Sequence, residues 1–172
     1  MNTMEIEIKF KVDEPKKVIL KAQQIGFNIE KKKHQIDYYY VVNKITNDGE
    51  RTYFRVRNNP DSTTWSVDLH TIVSEFATDE IEIGTNKDIQ KILKYLGHNI
   101  VCIVDKQRTI LKKDDVLICI DEVQNLGNFV ELEIEGTQND FAILQTLAKE
   151  LCLDLQNRVS KKGYPDLLME LK

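Results

Sequence analysis

The sequence predicts an α+β fold in which eight antiparallel strands close into a barrel, with helices packed against its outside. Charged and apolar residues alternate with period two along several segments, which is typical of strands with one apolar face. Hairpin turns join most of these segments, and strands joined by hairpins pair antiparallel. Three segments have apolar residues at helical spacing, and such helices need an apolar sheet face to pack against.

The first half of the chain contains five predicted strands and one helix. The clearest alternation is Glu5-Ile6-Glu7-Ile8-Lys9, at the start of the first strand. Pro15 and Gly26 mark the first turn and the end of the helix that follows. Asn47-Asp48-Gly49 is a strong hairpin signal, and Asn59-Pro60-Asp61 predicts another turn. The predicted strands cover about 5–12, 29–42, 53–57, 65–70 and 80–83.

The second half contains two helices and the last three strands. Asn86 is the predicted cap of the first helix, and Gly97 ends it. The apolar residues of this helix are Ile89, Ile92, Leu93 and Leu96. The last helix has one apolar face, formed by Phe141, Leu144, Ala148 and Leu151. The predicted strands cover about 99–111, 116–123 and 129–135.

Composition limits the classes of function. The chain has 172 residues, which fits a single domain over 1–172, and its net charge of −4 argues against a general nucleic-acid binder. Its three cysteines lack the spacing of a metal site, which favours reduced thiols. The sequence has no signal-peptide core and no apolar run of membrane-spanning length, so we expect a cytoplasmic protein without a membrane partner.

Charged side chains occupy one face of several predicted strands. Taken alone, such residues are usually the solvated face of a strand. If helices cover the apolar outer faces, however, the charged faces must line the interior of the closed barrel. Buried charges are costly unless they pair or bind ions. The residues concerned are Glu5, Glu7, Lys9, Lys11, Arg55, Arg57, Lys106, Arg108, Asp121, Glu131, Glu133 and Glu135.

A bound polyanion explains these charges better than pairing among themselves. Lysine and arginine side chains from several strands would bind phosphate oxygens, and arginine offers two parallel donors. The carboxylates would hold a hard divalent cation, Mg²⁺ or Mn²⁺, that also contacts the phosphates. A basic ring beside an acidic metal site is typical of proteins that handle a triphosphate.

Five motifs follow one another in a set order. They are Glu5-Ile6-Glu7-Ile8-Lys9, Gln35-Ile36-Asp37-Tyr38-Tyr39, Phe54-Arg55-Val56-Arg57, Val104-Asp105-Lys106-Gln107-Arg108 and the block from Ile120 to Glu133. These segments resemble the ExExK, Q-x-D-x-Y, R-x-R, K-x-R and L-D-x-V-x-x-L-G-x-F-x-E-I-E motifs of the CYTH proteins, also called triphosphate tunnel metalloenzymes. The last block is most similar to the branch called class IV adenylyl cyclases. A closing segment from Ser160 to Leu168 resembles the family's S-Y-x-x-L-L motif.

The resemblance implies a tunnel-shaped barrel with a charged interior, and it implies roles for residues at the motif positions. Glu7 and Glu133 are the implied metal ligands, with Glu5 and Glu131 as supporting ligands. The residues implied to bind the triphosphate are Lys9, Arg55, Arg57, Lys106 and Arg108. Asp121 would bind metal or orient a nucleophile, and Lys106 would act with it in catalysis by stabilising the charge of the leaving group.

The sequence also departs from the family's pattern. Asp68 stands where the fourth strand of the family carries a lysine, and Thr78 stands where the fifth strand carries an arginine. His70 lies on the same strand face as Asp68 and would replace the lysine weakly when protonated. We therefore expect weaker triphosphate binding or a greater dependence on metal ions. We expect Glu80, Glu82 and Glu135 to be outer or rim residues.

Three functions are consistent with these residues. The first is a class IV type adenylyl cyclase that converts ATP to cyclic AMP and pyrophosphate. The second is a triphosphatase that hydrolyses tripolyphosphate, thiamine triphosphate or a nucleoside triphosphate. The third is a protein that binds a triphosphate without turnover. The sequence leaves the organic part of the substrate, the preferred metal and the existence of a homodimer open.

Overall fold

The structure is a computed structural model that describes residues 4–45, 51–159 and 162–171. The predicted turn at Asn47-Asp48-Gly49 lies outside the described residues, as does Ser160 at the start of the closing motif. No helix of the described ranges has both the length and the apolar character needed to cross a membrane.

Nine strands and four helices make up the described chain. The strands are β1 (Met4–Val12), β2 (Asn28–Ile45), β3 (Arg51–Asn59), β4 (Thr64–Ile72), β5 (Ala77–Thr85), β6 (Cys102–Lys113), β7 (Val116–Val123), β8 (Gly127–Gly136) and the short β9 (Arg158–Val159). The helices are α1 (Pro15–Gln24), α2 (Ile89–Tyr95), α3 (Phe141–Glu150) and α4 (Tyr164–Glu170). The eight long strands match the predicted ones, with ends that differ by a few residues.

The strands pair antiparallel in the order β5-β4-β3-β2-β6-β7-β8-β1-β9, and a further pairing between β5 and β1 closes the ring. β1 therefore has neighbours on both edges. It pairs with β8 along its whole length, with β5 at Glu5 and Ile6, and with β9 at Lys9 and Phe10. This closed antiparallel ring confirms the predicted barrel.

The main hydrophobic core lies outside the ring, between the strands and two helices. Ile6, Ile8 and Phe10 of β1 are almost fully buried there. They pack in one cluster with residues of α1 and α3, among them Ala22 and Leu144. Because side chains alternate along a strand, this packing turns the odd-numbered charged residues of β1 toward the interior. The predicted division between apolar outside and charged inside is confirmed for Glu5, Glu7 and Lys9, whereas Lys11, which was also expected inside, is exposed near the end of the strand.

α2 differs from its sequence prediction. Of its expected apolar face only Leu93 is buried, whereas Ile92 and Leu96 are largely exposed, because the helix is only two turns long. Asp88, not Asn86, occupies the cap position of α2. The side-chain oxygen of Asn86 accepts a hydrogen bond from the Asp88 backbone N–H at 2.8 Å.

α4, which the sequence pattern did not predict, closes one end of the barrel. Its first residue, Tyr164, is buried and packs edge-on against Phe129, with ring centroids 5.1 Å apart. Asp166 fixes the start of the helix by accepting hydrogen bonds from the Gly163 backbone and from the Tyr53 hydroxyl. The polar interior is therefore bounded at this end by a small aromatic cluster.

Candidate active site in the barrel interior

The barrel encloses a cavity of about 180 Å³ whose wall is rich in charged side chains. The charged residues expected from the sequence that line it are Glu5, Glu7, Lys9, Arg55, Arg57, Lys106, Arg108, Glu131 and Glu133. Asp121 is fully buried directly behind this wall. The structure thus brings together residues from β1, β3, β6, β7 and β8 that are far apart in sequence.

The register between β1 and β8 places one acid opposite another acid and one lysine opposite an acid. Glu7 lies opposite Glu133, and Lys9 lies opposite Glu131. Glu7, Glu131 and Glu133 each offer a carboxylate oxygen, and these oxygens all lie within 4.8 Å of one another. Like charges this close repel unless a cation or a proton lies between them. Three converging carboxylates fit a hard divalent cation such as Mg²⁺ or Mn²⁺, which prefers oxygen ligands.

The carboxylates of this cluster differ in their affinity for protons. Burial raises the pKa of Glu133 to about 7, with the charges of Glu131 and Glu7 adding to the rise and Arg108 opposing it. Burial alone would also raise the pKa of Glu131, but Lys9 and Arg108 hold it well below its usual range. Burial and the nearby Glu133 and Glu7 raise the pKa of Glu5.

Lys9 occupies the centre of the acidic cluster. Its Nζ lies 2.9 Å from Glu7 Oε1 and 3.0 Å from Glu131 Oε1. Burial alone would lower the pKa of this lysine, but Glu131 and Glu7 raise it, so it stays charged. The ammonium also lies 4.7 Å from the centre of the Tyr164 ring, within the range of a cation–π contact.

Arg108 and Asp121 form a two-point ion pair. The guanidinium Nε and Nη2 donate to the two Asp121 oxygens at 2.7 and 2.6 Å, and Nη2 also contacts Glu131. Tyr164 donates its hydroxyl to Asp121 Oδ2 at 2.8 Å, and Lys106 Nζ lies 3.5 Å from the same oxygen. The Asp121 carboxylate is therefore enclosed by protein donors, and it fixes the orientation of Arg108.

Arg55 and Arg57 are paired with acids whose role the sequence analysis missed. Arg57 donates to both oxygens of Asp37, at 2.7 and 2.9 Å. Arg55 donates to Asp68 at 3.0 Å and to Glu80 at 2.8 Å. The available signal for Asp37 was its place in the Q-x-D-x-Y motif, on the same strand face as Gln35 and Tyr39.

The expectation that Glu80 is an outer or rim residue is wrong. Glu80 pairs with His70 in the register between β4 and β5, and both side chains line the cavity. β5 pairs with β1 at Thr78, and Glu80, two residues later on the same strand face, lines the cavity as Thr78 does. Glu82 and Glu135, by contrast, are exposed, as expected.

Acids outnumber bases when the carboxylates directly behind the described part of the cavity wall are counted together with those that line it. The acids that line it or pair with its cations are Glu5, Glu7, Asp37, Asp68, Glu75, Glu80, Asp121, Glu131 and Glu133. The bases are Lys9, Arg55, Arg57, Lys106, Arg108, Arg158 and Lys162. A triphosphate adds further negative charge, so its binding at this site calls for added cations.

The tyrosine run of β2 is divided between the two sides of the sheet. Tyr39 is buried and lines the cavity beside Tyr53, while Tyr38 stacks on Trp65 with ring centroids 6.2 Å apart. Tyr40 packs in the outer cluster near Phe54. Strand packing, the expected role of this run, accounts for Tyr38 and Tyr40.

Three comparisons bear on the identity of this fold and site. The CYTH domain family matches residues 3–162. A protein of Methanocaldococcus jannaschii, named as a candidate adenylate cyclase (MJ0240), is 33% identical over 173 residues, covering 95% of this chain and 98% of the relative. The structure of the PH1012 protein from Pyrococcus horikoshii has a TM-score of 0.85 at 22% identity, covering 95% of this chain and 99% of that one.

A more distant structure shares the same fold. HpAC1 from Hippeastrum, described as a candidate adenylyl cyclase with a dominant triphosphatase activity, has a TM-score of 0.68 at 14% identity. The similarity covers 99% of this chain and 96% of that one. At these identities the two solved structures show the fold alone, whereas the family match rests on the sequence.

Proposed function

The chain belongs to the CYTH domain family, and from this premise we propose that it is a divalent-metal-dependent enzyme that acts on a triphosphate. The observation that carries the proposal is the position of Lys9, Lys106 and Arg108 around the Glu7–Glu131–Glu133 cluster in one cavity. Cations and metal-binding carboxylates in contact with one space are what phosphoryl transfer needs, because its transition state is stabilised mainly by charge and position.

Glu7, Glu131 and Glu133 would hold Mg²⁺ or Mn²⁺, and Glu5 lines the same cavity two residues before Glu7 on β1. When bound, the metal supplies positive charge to the phosphates and lowers the pKa of an oxygen nucleophile. Lys9 now satisfies Glu7 and Glu131. If a cation took over these carboxylates, the Lys9 ammonium would be free to bind a phosphate oxygen in their place.

The basic side chains have different tasks in this proposal. Arg108 is held in place by Asp121, and its other donors contact Glu131 and Glu133, with which a bound phosphate would compete. Burial and the nearby Arg108 lower the pKa of Lys106, which makes its proton easier to give up than that of an exposed lysine. Arg55 and Arg57 would bind the phosphate groups that lie farther from Glu7, Glu131 and Glu133.

Adenylyl cyclase activity is the first candidate reaction. In it the ribose 3′-oxygen attacks the α-phosphorus and pyrophosphate leaves, while Lys106 and Arg108 stabilise the charge that develops on it. The support is the similarity of the block from Ile120 to Glu133 to class IV cyclases and the 33% identity to the Methanocaldococcus jannaschii protein named as a candidate cyclase.

Triphosphatase activity is the second candidate, and one feature of the site favours it. Asp68 stands where the family has a lysine, and it accepts a hydrogen bond from Arg55. Fewer donors are therefore left to fix the orientation of a nucleotide. Water would then attack the terminal phosphorus and release orthophosphate. The Hippeastrum protein of the same fold is described by its dominant triphosphatase activity.

Product analysis tests the proposal. The purified protein is incubated with ATP, tripolyphosphate or thiamine triphosphate and with Mg²⁺ or Mn²⁺, and cyclic AMP, pyrophosphate and orthophosphate are measured. Cyclic AMP supports the cyclase, and orthophosphate supports the triphosphatase. Glu133→Gln should abolish turnover, whereas Glu135→Gln, an exposed acid on the same strand, should leave it unchanged. Tight triphosphate binding without any product would overturn the enzymatic proposal in favour of a binding protein.

The cytoplasmic location and the single-domain boundary 1–172 stay predictions, and the existence of a homodimer stays an open question.

A further inference from the structure

A second group of potential ligands lies where β1 closes the ring with β5. Glu5 of β1, His70 of β4 and Glu80 of β5 each offer one ligand atom, and these atoms lie within 4.8 Å of one another. The register explains the proximity, because Glu80 pairs with His70 while Glu5 pairs with Thr78, two residues before Glu80. All four residues line the cavity.

Polar atoms in this group lack partners. The buried His70 Nε2 makes no hydrogen bond within the described part of the chain, although it lies 3.2 Å from Glu80 Oε2. Thr78 Oγ1 is also buried and unbonded there. The Glu5 side chain forms neither an ion pair nor a hydrogen bond with another described residue, although its backbone pairs with β5 and β8. Buried polar groups are normally satisfied, so several unsatisfied ones at one place point to a missing ligand.

The charge around these atoms identifies the ligand as a cation. Glu5 and Glu80 face each other with His70 between them, and Glu80 shares its one bonded arginine, Arg55, with Asp68. An anion would add negative charge beside Glu5, which has no basic partner among the described residues, and beside Glu80, which shares its arginine. Two carboxylate oxygens and an imidazole nitrogen make a mixed set that suits a first-row transition metal, since imidazole binds such metals better than Mg²⁺.

We propose that Glu5, His70 and Glu80 form a second divalent-cation site, distinct from Glu7–Glu131–Glu133, and that its histidine selects Mn²⁺ or another transition metal over Mg²⁺. Glu5 and Glu7 are successive inward-facing residues of β1, about 7 Å apart along the strand. Ions at the two sites would therefore contact the same bound triphosphate. This role in substrate binding rests on the proposed function. The second ion would supply the positive charge of the lysine and the arginine whose positions Asp68 and Thr78 occupy.

Binding of Mn²⁺ alone, without nucleotide, tests the site. Metal-stripped protein is titrated with Mn²⁺ by calorimetry, and pulsed electron paramagnetic resonance detects the coupling of bound Mn²⁺ to a ligand nitrogen. We expect two Mn²⁺ ions per chain, one of them coupled to nitrogen. His70→Gln should remove the coupled ion and leave one, whereas His98→Gln, at an exposed histidine, should keep both.

Two further variants keep the test independent of folding defects and of activity. Thr78→Arg removes no ligand but adds a fixed positive charge beside Glu5, so it should reduce Mn²⁺ binding to one ion without nitrogen coupling. Glu133→Gln should keep the nitrogen-coupled ion and weaken the other. One Mn²⁺ in the unchanged protein, or nitrogen coupling that persists in His70→Gln, would overturn the proposal. An inactive protein that binds two ions would instead contradict only the proposed enzymatic function.

Discussion

At the scale of single residues, the carboxylates of this site differ in their affinity for protons. Glu131 and Glu133 lie two positions apart on one strand and both face the cavity, yet their pKa values shift in opposite directions. The difference arises because Lys9 and Arg108 surround Glu131, while burial and neighbouring acids dominate at Glu133. If Glu133 is a metal ligand, as proposed, metal ions and protons would compete for it near neutral pH.

The raised pKa of Glu133 predicts a pH dependence of stability. Between its ordinary pKa of 4.5 and about 7, the folded state holds a proton that the unfolded state has lost. Stability therefore falls as pH rises through this window. In EDTA we expect the melting temperature to drop from pH 4.5 to 7.5, and Glu133→Gln should reduce that drop. A pH profile of Glu133→Gln that overlays the unchanged protein would contradict the assignment; Glu135→Gln is the control.

Asp121 supports a separate prediction, because its carboxylate is occupied by Arg108 and Tyr164. Asp121→Asn should lower kcat by roughly 10–100-fold, as expected when a group that orients a functional residue is changed. The affinity for Mn²⁺ should stay within about twofold, since the variant leaves Glu7, Glu131 and Glu133 unchanged. A large loss of Mn²⁺ affinity would show that Asp121 is a metal ligand instead.

At the scale of secondary structure, β1 links the outer core to the site. Its even-numbered residues pack against α1 and α3, while Glu5, Glu7 and Lys9 face the cavity. The geometry of the charged side chains therefore depends on how firmly the helices hold the strand. Two helices with apolar faces supply that support, and neither one contributes a residue to the cavity wall.

The contact between α3 and the barrel can be tested by one pair of variants. Leu144 is fully buried in the outer core, whereas its neighbour Ile143 is 46% exposed. Leu144→Ala should lower the free energy of unfolding by about 2–5 kcal/mol, and Ile143→Ala by less than about 1 kcal/mol. Chemical denaturation measures both. Equal effects of the two variants would contradict the assigned orientation of α3.

At the scale of the whole molecule, the described part of the barrel holds more acids than bases in and directly behind the cavity wall. A closed ring keeps these charges away from bulk water, so their repulsion opposes folding. The proposed divalent cations would bind only the folded arrangement, because the carboxylates come from strands that are far apart in sequence. Ligands that bind only the folded state stabilise it by mass action.

Metal removal therefore gives a prediction for the entire fold. Adding Mn²⁺ or Mg²⁺ at millimolar concentration should raise the melting temperature of metal-stripped protein, and excess EDTA should reverse the change. Tripolyphosphate without metal should have a much smaller effect, since it adds negative charge to an acidic cavity. Differential scanning calorimetry measures these shifts, and stabilisation by tripolyphosphate alone that equals the effect of metal would contradict this account.

Some features of this protein follow from its sequence alone, and others depend on its tertiary structure. The alternation in Glu5-Ile6-Glu7-Ile8-Lys9 determined a two-faced strand, and the order of the motifs determined the family and its barrel. Side-chain direction in a strand is fixed by the backbone, so the sequence alone was enough to place these charges on one face. The partners of Arg55 and Arg57, the inward position of Glu80 and the cluster with His70 depend on strand register and ring closure. Those are decided by contacts between distant segments, and only the tertiary structure contains them.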